Sequence, residues 1–267
     1  METFRLKNIA ILILLLLNAG LLLLIGSQRW QSRRVENYTV KQLSALYEAS
    51  QLTLDSHLQT AQQALSPLTL SRHTETEQAI ASYLLGGSAA SSSQGGGIYS
   101  YETASGAIQF RSGGSFDGSR LSLAVGNITD FSQQFCAQFG YTNLQIDVKN
   151  CSGSVSAVQE VAGVLIYGCN ITIYFEDGVL TSVTGAHVNI EDAAVENADR
   201  INCITALVRF LDYRNAAGII CSEVTDIQCI YELQTTTTTV RLLPAWRIST
   251  DTYSYFVDCL TGEISRR

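Results

Sequence analysis

Residues 170–188 read NITIYFEDGVLTSVTGAHV, and the Asp177-Gly178 pair in their middle decides the fold class. The flanking runs ITIYFE and VLTSVT are rich in β-branched and aromatic residues. Two strands joined by Asp-Gly are the signature of a two-residue hairpin turn, whose twist needs left-handed backbone at both positions. An antiparallel sheet follows. Upstream, LQIDV, VSAVQEV and GVLIY continue the strand pattern, and IYSYE and AIQFR form an earlier pair around the Ser105-Gly106 turn. Downstream, IICSEV, IQCIYELQTTTTTVRLL, AWRIST and YSYFVD resume it, with Thr261-Gly262 as the last turn. Pro244 stands at the start of the strand AWRIST.

Helices interrupt these strands. Thr74 and Glu77 make a T-x-x-E capping pattern ahead of Ala79, Ile80, Tyr83 and Leu84, and Gly86-Gly87 end that helix. Asp130 and Gln133 resemble a second capping box, with Phe131, Phe135 and Phe139 at helical spacing as a core stripe and Gly140 as the stop. The longest helix is expected over 190–214. Glu191 and Asp192 stand in its first turn, Arg209 and Arg214 near its end, and Ala194, Val195, Ala198, Ile201, Ile204, Leu207, Val208 and Leu211 along one face. The stretch GGSAASSSQGGG, Gly86 to Gly97, reads as a flexible loop and lacks the Gly-Lys-Ser/Thr ending of a phosphate-binding loop.

The N-terminal end has a different character. From Lys7 to Arg29 no charge interrupts NIAILILLLLNAGLLLLIG, whose run from Ile9 to Ile25 is broken only by Asn18 and Gly20. As a helix it measures roughly 26–29 Å, close to the ~30 Å of a bilayer's hydrocarbon. Gly26, Ser27 and Gln28 make a poor cleavage site, so an uncleaved anchor is expected over a signal peptide. Asn18 is a candidate for bonding a partner helix, with Leu14 and Leu21 as its companions in the span. Arg5 and Lys7 on one side and Arg29, Arg33 and Arg34 on the other do not set the orientation. The helical pattern after Arg34 reads as a juxtamembrane stalk, and Pro67 closes it. The domain reading is therefore 1–28 tip and anchor, 29–67 stalk, 68–188 first α+β unit and 189–267 second. The echo between IYFEDGVLTSV and YFVDCLTGEIS suggests tandem duplication.

Chemistry is sparsely signalled. A net charge of −7 argues against a nucleic-acid partner. No G-x-S-x-G elbow, G-x-G-x-x-G, H-E-x-x-H or EF-hand loop occurs, and His57, His73 and His187 are far apart, so no catalytic residue, cofactor, metal ligand or small-molecule substrate is expected. The pairs Glu176/Asp177 and Glu191/Asp192 are each accounted for by a turn and a helix start. Seven cysteines, none in a C-x-x-C pair, read as buried small residues or as one or two disulfides. Trp246 is read either as core or, with Arg247 and Tyr255, as a contact surface of the outer domain.

Two portions resemble known families. LLPAWRISTDTYSYFVDCLTGEI is similar to the end of a PepSY-like domain. The start, RLKNIAILILLLLNAGLLLL, together with TETEQAIASYLLG and ITALVRFLDYR, resembles the membrane-anchored YycH/YycI group of Gram-positive bacteria. The resemblance implies an N-terminal transmembrane helix with a cytoplasmic N-terminus. It also implies tandem PepSY-like units, each one helix packed on an antiparallel sheet, outside the cell. The function it implies is modulation of a two-component sensor histidine kinase by protein–protein contact, with the membrane and that kinase or a paralogous accessory protein as partners. A PepSY-like binding or inhibitory module acting on an extracytoplasmic peptidase or peptide is the alternative it carries.

Overall fold

The computed structural model describes residues 41–55, 58, 62–236 and 239–266. The span read at Asn8–Gly26, with Leu14, Asn18 and Leu21, lies outside them. Among the described residues no helix is long and apolar enough to cross a membrane.

In chain order the elements are helix α1 (41–49), β1 (Thr53–Leu54), β2 (Leu68–Leu70), α2 (Thr74–Leu85), β3 (Ala90–Gly95), β4 (Ile98–Thr103), β5 (Gly106–Arg111) and β6 (Ser115–Ala124). Next come α3 (Ile128–Phe139), β7 (Tyr141–Lys149), β8 (Ser152–Val161), β9 (Val164–Glu176), β10 (Val179–Ala186) and β11 (Ala194–Val195). The chain closes with α4 (Cys203–Ala217), β12 (Glu223–Thr235), β13 (Val240–Thr250), β14 (Ser254–Asp258) and β15 (Ile264–Arg266).

The hairpin that organised the sequence reading is present. Val179 pairs with Glu176, and the turn residues Asp177 and Gly178 sit at φ 49° and 78°. Beyond it the expected architecture is overturned. The strands join into one mixed sheet whose main path runs β11-β2-β13-β12-β9-β10-β6-β5-β4-β3, in place of tandem PepSY-like units each backed by its own helix. Two parallel contacts tie the chain's halves: β1 along β12 at Thr53–Glu223, and β9 along β12 at Ile166–Tyr231. The cause lies in β9, which continues through the GVLIY and NITIYFE runs as one strand. Its start pairs with β12 and its end with β10, and the register against β8 breaks between Val158 and Glu160. Gly168, at φ 93°, supplies the left-handed backbone that this change of partner needs.

Helix placement differs accordingly. α2 and α3 both cover the first half, burying Ile80, Leu84, Phe135 and Phe139 against Phe110, Phe116 and Phe175. The Phe stripe is core, and Tyr83 packs against all three of its rings. α1 and α4 cover the other half, where Leu43, Tyr47 and Leu52 pack with Leu207, Phe210 and Trp246. Leu43, Tyr47 and Leu52, within the stretch assigned to the stalk, are thus part of a core. A third cluster, with Leu68, Ile166, Cys169, Val188 and Leu242, lies where the halves meet.

Local chemistry explains the remaining shifts. α4 starts at Cys203 and not near 190, because Asn202 caps it through the Thr205 N–H at 2.8 Å. Ahead of it, Asn189 turns the chain by accepting from the Glu191 N–H, and Glu196 is held by Thr69 and Arg241. In α2 the cap position belongs to His73, with no side-chain cap bond, while Glu77 pairs with Arg72 and accepts from the Tyr101 hydroxyl at 3.0 Å. In α3 the cap is Asn127, which accepts from the Thr129 and Asp130 N–H groups. Part of the Gly/Ser stretch, Ala90–Gly95, is an exposed strand that completes the ladder of β4. The run IQCIYELQTTTTTVRLL is two strands, β12 and β13, paired down to Thr235 and Val240. Pro244 sits inside β13. It is tolerated because β2 pairs with 240–242 and β14 with 245–249, so the missing donor faces the gap between them.

Candidate functional site

One edge of β12 is covered by β13 throughout, but the other is covered only at its ends. β1 takes Glu223 and Val224, and β9 takes Tyr231 and Glu232. Over 225–230 no strand among the described residues pairs with this edge. The side-chain amide of Gln62 stands there instead: its Nε2 donates to the Ile227 carbonyl at 3.4 Å, and its Oε1 accepts from the Cys229 N–H at 3.3 Å. A primary amide has the donor and acceptor of a peptide group, so Gln62 fills the place of one residue of an absent strand. Beside this lapse opens a cleft of about 640 Å³, lined among others by Gln62, Asn143, Glu160, Gln228, Cys229 and Arg247.

Each wall has a local cause. Asn143 adopts φ 53° at the irregularity where β7 loses register with β8, and Glu160 follows the break on β8, its carboxylate accepting from the Thr142 hydroxyl at 3.1 Å. Arg247 and Gln228 are cross-strand partners on β13 and β12, and the guanidinium donates to the Gln228 side chain at 2.7 Å, with the Asp226 carboxylate at 3.8 Å. The Arg247 Nε is buried with no acceptor among the described residues, which leaves the cation an unspent donor. The Cys229 sulfur accepts from the Leu65 N–H at 3.4 Å. A hydrogen bond from the Cys259 thiol, that N–H and the Arg200 charge hold the Cys229 thiol below its ordinary range, while the same contact and burial push Cys259 up. All seven cysteines are unpaired.

The cleft offers main-chain groups, amides, one cation and one carboxylate. His73 and His187 line other parts of the surface, so neither stands by Cys229 as a base. Among the described residues no group of three or more His, Cys, Asp or Glu side chains could hold a metal ion.

Of the expected contact residues, Arg247 lies in the cleft wall. Trp246 and Tyr255 do not reach a surface; both are wholly buried, since alternate residues of β13 and β14 face α4. Trp246 Nε1 donates to the Ile201 carbonyl at 3.0 Å. The sequence reading missed Gln62, Asn143, Glu160 and Gln228, ordinary polar residues that carry no motif.

His187, just past the end of β10, packs its ring against Phe139 of α3 and Tyr141. Burial lowers its pKa to about 4, against the opposing effect of its bond to the Phe139 carbonyl at 3.1 Å. The unfolded chain therefore binds the extra proton first, near pH 6.5, and stability falls as pH drops from there towards 4, by up to about 3 kcal/mol. His187→Gln should flatten that fall, which urea midpoints measured between pH 7 and pH 5 will read.

No family model matches the chain, and no curated protein matches it. Among solved structures it is similar to the crystal structure of an uncharacterized protein from Eubacterium rectale, at 11% identity over 81% of this chain and 86% of that one, with a TM-score of 0.43. At that score the likeness carries no inference about fold or function.

Proposed function

We propose that this protein is a regulator that acts by contact and not by catalysis, on the extracytoplasmic side of a membrane, with a two-component sensor histidine kinase as its partner. The observation that supports it is the cleft on β12, where a sheet edge is closed by a side-chain amide in place of a strand. Such an edge is a ready template for another chain. The kinase comes from the resemblance of the N-terminal stretch to the YycH/YycI group. The peptidase-inhibitor reading rested on a PepSY-like fold, which the mixed sheet replaces.

A regulator of this kind must favour one state of its partner by differential contact. The full chain, co-expressed with the sensor kinase of its own genome and extracted in mild detergent, is expected to co-purify with it and to change its autophosphorylation rate. Failure on both counts overturns the kinase assignment.

A further inference from the structure

We propose that the cleft on β12 takes an extended peptide segment bearing a carboxylate side chain, which pairs with the main chain of Ile227 and Cys229 in place of the Gln62 amide and sets its acid group against Arg247. This names the ligand of the site on which the contact reading rests.

Three features point to a main-chain occupant. First, Ile227 and Cys229 offer their carbonyl and N–H on the same edge, two residues apart, the repeat that a strand presents to a neighbour. Second, the group now bonded there is a primary amide, the side-chain equivalent of a peptide bond, held at 3.4 and 3.3 Å, long for such bonds. Third, among the described residues no strand pairs with 225–230, about 20 Å of edge at strand rise. Charge selects the side chain. Arg247 is the cation of the cleft lining, its side chain 28% exposed, and the Asp226 carboxylate paired with it stands off at 3.8 Å, beyond hydrogen-bond reach.

Gln62 is then an internal competitor, and its removal should raise affinity. The probes are two blocked, fluorescent hexapeptides of β-branched residues with one central aspartate or, in its place, asparagine, titrated by anisotropy into the full chain in mild detergent. The aspartate peptide is expected to bind, and the asparagine one about tenfold more weakly, the worth of a charged hydrogen bond. Gln62→Ala should tighten the aspartate peptide about fivefold, as loss of two weak competing bonds implies. Arg247→Gln should bring the two peptides to equal affinity. A merely structural Gln62 would leave binding unchanged or weaken it. That outcome, equal binding of both peptides to the unaltered chain, or no binding of either overturns the proposal. Co-purification with the kinase alongside such a result would leave the contact reading standing and reject only this ligand. Melting curves of each variant exclude unfolding as the cause of a loss.

Discussion

Replacing Trp246 with alanine is expected to destabilise the protein by about 4 kcal/mol, the ordinary cost of emptying a fully buried tryptophan site. Its indole is wholly buried among α1, α4 and β14, and its N–H is bonded to the Ile201 carbonyl. Truncation leaves a cavity and strips a partner from the segment that leads into α4. For a chain of this size the melting midpoint should fall by about 10 °C, followed by circular dichroism so that the missing fluorophore does not matter. Trp246→Phe, which keeps most of the volume and loses the hydrogen bond, should recover more than half of the loss. A surface tryptophan would behave otherwise, with both variants within about 0.5 kcal/mol of the unaltered protein.

The second large effect lies at Tyr47. Its ring is wholly buried and its hydroxyl donates to the Leu207 carbonyl at 2.8 Å, pinning α1 to α4. Burial, with the nearby Cys203 and Cys221 thiols adding to it, holds the phenol far above its ordinary pKa, so it stays a neutral donor across the working range. Tyr47→Ala should cost about 4 kcal/mol and Tyr47→Phe about 1 kcal/mol in urea unfolding, because the first empties a core site and the second removes one hydrogen bond. Were α1 a projecting stalk, neither change would move the midpoint.

These two residues also show what the sequence carries. Strand periodicity and the Asp177-Gly178 turn are local signals, and so is the Phe131, Phe135 and Phe139 stripe; each appears in the structure where the residues place it. The alternation along AWRIST likewise puts Trp246 and Ile248 on one face and Arg247 on the other. Helix content over 190–202 fails for a nonlocal reason. Glu196 is engaged by Thr69 and Arg241, far off in the chain, and Asn189 and Asn202 offer the backbone competing bonds, which outweighs weak propensity. Nothing in ASSSQG asks for a strand; the ladder of β4 imposes one.

The joining of the halves is equally nonlocal. Parallel pairing of β9 with β12 brings Ile166 beside Tyr231, and no periodicity records that meeting. The cleft is hidden for the same reason, because it is defined by a gap in pairing. Gln62, Glu160 and Arg247 come from three separate segments and line one cleft because β12 pairs with β13 along one edge and, at the end of the other, with β9, the partner of β8. A buried glutamine nearby shows the same device at work: Gln159 bonds both the N–H and the carbonyl of Val188 with its side-chain amide, again standing in for a strand.

Hydrogen exchange on the full chain, with and without the sensor kinase, tests the role of the β12 edge most directly. Alone, the amide of Cys229, held only by a side chain, should exchange faster than that of Ile230, whose N–H points the other way into the β12–β13 ladder. With the kinase bound, new protection should appear over 225–230. Protection confined to another edge, such as β3, with 225–230 unchanged, would contradict the assignment of the cleft as the docking site.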